Sequence, residues 1–283
     1  MSLNAKSTIA VVGAIALVAL AHPGVKSRAQ DSAQPGSLSG VAGSDDVQML
    51  ELEPSLMRPE YADLVAGFTP RSLVYIIQGP DGAVRGRMTL SMSTTVANGE
   101  VRRELVKECD FPFVGRWRLV VKASSLSPVE CSLELYNLVS KPIPNDAQPV
   151  ETWSAKYYYD LVSVAIESED VGTFFSFRHP MKAYDLEELY LIFSQMEVEQ
   201  LPHRSVLFVT APFRYRNYAV LVERLGRESM YAADAEKHVC EHLCLTFSDS
   251  VQEFFVETLP PHRIVKFTLG ELTYTLLEDN TEY

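Results

Sequence analysis

From Arg71 onward the chain is divided into short runs in which apolar and polar residues alternate, each run closed by turn-forming residues. The clearest is Val84–Thr95, where Met88, Leu90 and Met92 alternate with Thr89, Ser91 and Ser93. Successive side chains of a strand point to opposite faces, so this period of two marks a strand with one dry and one wet face. Ala97-Asn98-Gly99 follows, and Asn-Gly favours a tight hairpin because both residues accept a positive φ. Gly79-Pro80-Asp81-Gly82 and Gly270-Glu271 supply turn chemistry of the same kind.

The same reading predicts strands at Ser72–Gln78, Glu100–Glu108, Trp117–Ala123, Cys131–Val139, Tyr157–Ile166 and Phe174–Phe177. Further strands are expected at Ser205–Thr210, Tyr218–Leu225, Lys237–Phe247, Glu253–Thr258, Ile264–Leu269 and Leu272–Glu278. One short helix is expected near 185–197. Asp185 with Glu188 three residues on resembles a capping box, and Leu186, Leu189, Tyr190 and Phe193 recur at helical spacing. About a dozen strands with one helix predict an all-β fold. The expected form is an antiparallel sheet in a closed or half-open barrel, with a two-sheet sandwich as the alternative. A soft boundary is expected at the Pro-rich loop 141–149.

The N-terminal part reads differently. Thr8–Ala21 is an uncharged run behind Lys6, the length of a signal-peptide core and short for a membrane span of about 20 residues. Residues 1–29 are therefore expected to be a signal peptide, and the mature protein periplasmic or secreted without a transmembrane span. Residues 30–47, rich in Gly, Ser, Gln and Asp, read as a flexible linker. Residues 48–70 form an N-terminal segment broken by Pro54 and Pro59, with a turn or two of helix expected near 60–68. The β domain is expected over 71–283.

The formal net charge is −12, and loss of Lys6, Lys26 and Arg28 with the leader takes it to −15. Such an excess repels nucleic-acid phosphates and anionic lipid headgroups, which sets both aside as bulk partners.

The order of features in the C-terminal third carries a resemblance. Tyr159-Asp160-Leu161 leads to Asp185–Met196, Gly226-Arg227-Glu228 and Lys237–Leu245. Phe254-Phe255-Val256 and Pro260–Phe267 follow, and Gly270 with Tyr274–Glu278 closes the chain. Over about residues 70–280 this resembles an uncharacterised family of exported bacterial proteins, a domain of unknown function with an all-β, barrel-like fold. The resemblance implies a bacterial envelope protein and carries over no catalytic residue.

The densest chemistry is His238-Val239-Cys240-Glu241-His242-Leu243-Cys244. On a strand, His238, Cys240, His242 and Cys244 share one face, and two or three of them could contribute to a metal site, with zinc as the candidate ion. On a helix the same residues spell His-x-x-Glu-His, the inverted zinc-peptidase signature. The plainest reading makes the cysteines small buried hydrophobes and the histidines part of a sheet face. Cys109 and Cys131 are the candidate disulfide, since an exported chain permits one. His179, His203 and His262 sit beside prolines in turns, and Phe213–Arg216 with Tyr218 forms an aromatic-basic patch. No nucleophile elbow and no phosphate-cradling loop is present. The expectation is a non-enzymatic envelope scaffold, without cofactor, that binds a lipid or other apolar ligand or an envelope protein. The alternative is a metal-binding protein or metal-dependent hydrolase centred on His238 and His242.

Overall fold

The computed structural model describes Val65 and residues 68–280, apart from 139–142, 145, 169–171 and 181. The expected signal peptide, the linker and most of the N-terminal segment lie outside the described residues. Among the described residues fifteen strands form one sheet. The first eight are β1 (Arg71–Gln78), β2 (Val84–Ala97), β3 (Glu100–Cys109), β4 (Val114–Lys122), β5 (Pro128–Tyr136), β6 (Glu151–Tyr157), β7 (Leu161–Ser168) and β8 (Gly172–Arg178). After β9 (Tyr184–Asp185) comes one α-helix, α1 (Glu188–Phe193). The remaining strands are β10 (Arg204–Ala211), β11 (Arg216–Tyr231), β12 (Lys237–Thr246), β13 (Val251–Glu257), β14 (Ile264–Leu269) and β15 (Leu272–Asp279).

The spatial order is β8-β7-β6-β5-β4-β3-β2-β1-β15-β14-β13-β12-β11-β10-β9. Two hairpin meanders thus meet where the first strand pairs with the last, from Leu73 opposite Asp279 to Gln78 opposite Thr273. Neighbouring strands are antiparallel except β9 and β10, which pair in parallel over Tyr184–Asp185. The expected Asn-Gly hairpin forms between β2 and β3, with φ of 52° at Asn98 and 77° at Gly99.

The all-β class stands, but the sheet does not close into a barrel. Its two ends meet through side chains instead. Asn217 Nδ2 donates to the Arg178 carbonyl at 2.9 Å. Trp153 meets Phe213 and Phe175 meets Tyr215, with ring centroids 5.8 and 4.2 Å apart. The strand at one end is only the two-residue β9, too short to offer β8 a ladder along its length. The sandwich alternative fails because one continuous hydrogen-bonded order joins all fifteen strands. The expected boundary at 141–149 is not a break, since β5 and β6 on either side of it pair from Glu130–Lys156 to Leu135–Glu151.

Three local expectations need correction. The single strand expected over Tyr157–Ile166 is two, because Tyr158–Asp160 turns the chain and Tyr158 N–H donates to the Leu161 carbonyl at 2.8 Å. The strand expected to end at Leu225 runs on to Tyr231: Leu225 is the extra, unpaired residue of a bulge, and Gly226 (φ 115°) resumes the pairing opposite His242. The helix expected over Asp185–Met196 is shorter, and Asp185 sits in β9. Its box is half realised: Glu188 Oε2 accepts the Asp185 N–H at 3.1 Å, while Asp185 Oδ1 accepts the Glu187 N–H at 2.8 Å.

All six residues of α1 are buried. Phe193 packs on Phe254 at 5.2 Å, and Tyr190 on Phe267 at 5.3 Å. Phe254, Phe267 and Tyr274 stack across β13, β14 and β15, and the edge of Tyr75 meets Phe267 at 5.5 Å. Full burial of each such ring contributes about 1.5–3 kcal/mol. This aromatic layer, together with Leu73, Ile77, Met88, Leu90 and Leu105, forms the core on the face that α1 covers.

Candidate functional site

The segment holding both metal-ligand readings is strand β12, paired to β11 and β13. The helical reading is therefore corrected: Glu241 lies on the face opposite the two histidines. It is engaged there by Arg224 Nε at 3.0 Å. A general base between two zinc-bound histidines is not assembled.

His238, Cys240, His242 and Cys244 do share a face, as a strand requires. At about 3.3 Å per residue His238 and His242 are roughly 13 Å apart, and the structure gives each its own carboxylates. His238 Nδ1 bonds Glu257 Oε1 at 2.8 Å, and its Nε2 stands 3.7 Å from Glu236 Oε2. His242 Nδ1 bonds Glu228 Oε1 at 3.0 Å, its Nε2 lies 3.3 Å from Glu253 Oε1, and its ring stacks on Phe255. Cys240 is part of the core, and burial pushes its thiol up to about 12. Burial also raises the Cys244 thiol, so both are held as protonated sulfur.

Glu257 is the hub of the His238 end. Arg263 grips it with Nε and Nη2, both at 2.8 Å, and with its backbone N–H at 3.0 Å, while Arg263 Nη1 reaches Asp279 at 3.3 Å. Burial pushes the Glu257 carboxyl up, but the Arg263 hydrogen bonds outweigh it and hold the group below the usual carboxylate range. An ionised Glu257 only accepts, so His238 donates to it through Nδ1, and in the neutral ring Nε2 is then the acceptor. That nitrogen is buried and has no hydrogen-bond partner. It faces a cavity of about 230 Å³ lined by Asp234, Glu236, Arg263, Glu278 and Asp279 among others.

The candidate disulfide is not formed: none of the four cysteines is bridged to another. Cys109 is on β3 and Cys131 on β5, with β4 between them. Two strand spacings alone separate them by roughly 10 Å, beyond the ~7 Å limit for a bridge.

The turn histidines stay apart. His179 Nε2 pairs with the Tyr158 carbonyl at 3.0 Å, and His262 Nδ1 with the Glu257 carbonyl at 3.1 Å. His203 is exposed in its turn. The aromatic-basic patch is the clasp between the sheet's ends: Phe213 and Tyr215 face Trp153 and Phe175, and Arg216 pairs with Asp249 at 2.7 Å.

One cluster escapes the sequence reading. Lys107 lies buried in an ion pair with Glu187, its ammonium 4.3 Å from the Trp117 ring centre and 5.1 Å from that of Tyr190. Beside it the Tyr157 hydroxyl donates to Asp185. Burial, opposed by that hydrogen bond and the Glu187 N–H, raises the Asp185 carboxyl to about 7. Burial also lifts Glu188 well above the carboxylate range. The signal was present: Lys107 falls between Leu105 and Cys109 on the inward register of β3. Asp185 and Glu188 are both 0% exposed, so no substrate atom can reach them in this conformation. Their role is to anchor the start of α1.

Among the described residues no helix is long and apolar enough to cross a membrane. No family model matches the chain, and neither does any curated protein or solved structure.

Proposed function

We propose that this is an exported, non-enzymatic β scaffold that works through its outer surface on a protein partner, and not a carrier of an apolar ligand. The observation behind this reading is the filling of the core. Phe193, Phe254 and Phe267 are fully buried and in ring contact with one another or with Tyr190, Tyr274 and Tyr75. A carrier needs a preformed space of several hundred Å³ lined mainly by apolar groups. The cavity beside His238 carries four carboxylates and an arginine in its lining, beside Ala232, Leu276 and Leu277. Export rests on the leader-like residues 1–29, and the resemblance over about 70–280 points the same way.

The catalytic alternative draws little support from the geometry. His238 and His242 are each held by separate carboxylates, and Glu241 faces away from both.

Native mass spectrometry of the purified protein, paired with organic extraction, tests the proposal. The expected result is the mass of the bare polypeptide and an extract free of stoichiometric lipid. One lipid or other apolar molecule retained per chain would overturn it.

A further inference from the structure

We infer that the cavity at the start of β12 is a binding site for a divalent first-row metal ion of the zinc class, held by His238 Nε2 and the Glu236 carboxylate. The wall of this cavity holds an orphaned atom. The His238 side chain is only 5% exposed, and its Nε2 has no hydrogen-bond partner. Buried nitrogens are rarely left in this state without a reason.

The spacing to Glu236 supplies one. At 3.7 Å, Nε2 and Oε2 are too far apart for a hydrogen bond of about 2.7–3.2 Å. Two ligands each about 2.0–2.2 Å from a tetrahedral ion stand roughly 3.5 Å apart, so an ion fits between them with little adjustment. The other side of the ring has the arrangement that metal-binding histidines use, with Nδ1 held by a carboxylate, here Glu257 at 2.8 Å. Arg263 in turn fixes Glu257 through three hydrogen bonds.

The surroundings suit a cation. Asp234, Glu236, Glu278 and Asp279 all line the cavity. The single cationic side chain there, Arg263, is offset by Glu257 and Asp279. The turn bearing Asp234 and Glu236 is anchored in place: Ala233 N–H donates to the Leu276 carbonyl at 2.7 Å, and Asp234 Oδ1 accepts the Glu236 N–H at 2.8 Å. Among the described residues no three ligand side chains already surround one point, so water or a turn of the Asp234 side chain completes the shell.

The test is zinc binding to the purified protein by calorimetry, with cobalt as the spectroscopic probe. One ion per chain is expected, with cobalt giving the intense visible bands of low coordination. His238→Ala abolishes binding. Glu236→Gln, at a side chain 64% exposed and so harmless to the fold, weakens it on the order of tenfold or more. Glu257→Gln weakens it about 10–100-fold, by releasing the ring rather than removing a ligand. His242→Ala leaves it unchanged. No saturable binding, binding that survives Glu236→Gln at full strength, or binding lost in His242→Ala would overturn the inference.

Discussion

Lys107 and Glu187 form an ion pair inside the fold, their side chains 8% and 15% exposed, between the third strand and the residue just before α1. Such a pair is costly to break and cheap to replace. Lys107→Met alone or Glu187→Leu alone leaves one buried charge without its partner and is expected to cost about 3–5 kcal/mol. The double variant, apolar on both sides, is expected to lie near wild type or above it. Urea unfolding of the three variants measures both, and additive losses in the double variant would contradict the pairing.

Asp185 makes stability depend on pH in an unusual direction. Its carboxyl titrates near 7 in the fold because of burial, against an ordinary value of 3.8. Between those values the native state holds a proton that the unfolded chain releases, so this group's contribution is full below about pH 4 and is lost as pH rises through 7. Urea midpoints measured from pH 5 to 8 should therefore fall with rising pH. Asp185→Asn should flatten that decline, and an identical slope in the variant would place the titration elsewhere.

Phe193 ends α1 with its ring against Phe254. Phe193→Ala is expected to destabilise by about 3–5 kcal/mol, since both the burial and the filled space are lost. The change is readable as a lower urea midpoint with an unchanged slope.

Thiol accessibility tests the strand order. Cys109, Cys131 and Cys240 are buried and Cys244 is partly exposed. A thiol reagent should modify Cys244 first in the native protein and all four after unfolding. A Cys109–Cys131 peptide in a non-reducing digest would require β4 not to lie between β3 and β5.

Local chemistry made much of this architecture legible. Asn98-Gly99 names its own hairpin, and the Met88–Ser93 alternation names both the strand and its inner face. The turn at Tyr158–Asp160 was hidden because it contains no Gly, Pro or Asn, its hydrogen bond being set by the strands on each side. The strand expected to end at Leu225 continues past a bulge there, since whether a strand resumes depends on its partner β12. At the cavity, the sequence singled out His238 but grouped it with Cys240, His242 and Cys244. Its actual neighbours are Glu257, nineteen residues on, and Glu236, two residues before the expected motif begins. Periodicity reports which face a side chain takes; it does not report which strand lies beside it.

The pairing of β1 with β15 sets the order in which the molecule can be completed. As the chain is made from its N-terminal side, β1 finds β2 at once, yet its other edge must wait about two hundred residues for β15. Throughout that interval Leu73, Tyr75 and Ile77 belong to a half-built sheet with an open hydrogen-bonding edge, the kind of surface that recruits other chains. Truncation of β15 should therefore be far more damaging than its length suggests, turning the sheet's central seam into a template for aggregation.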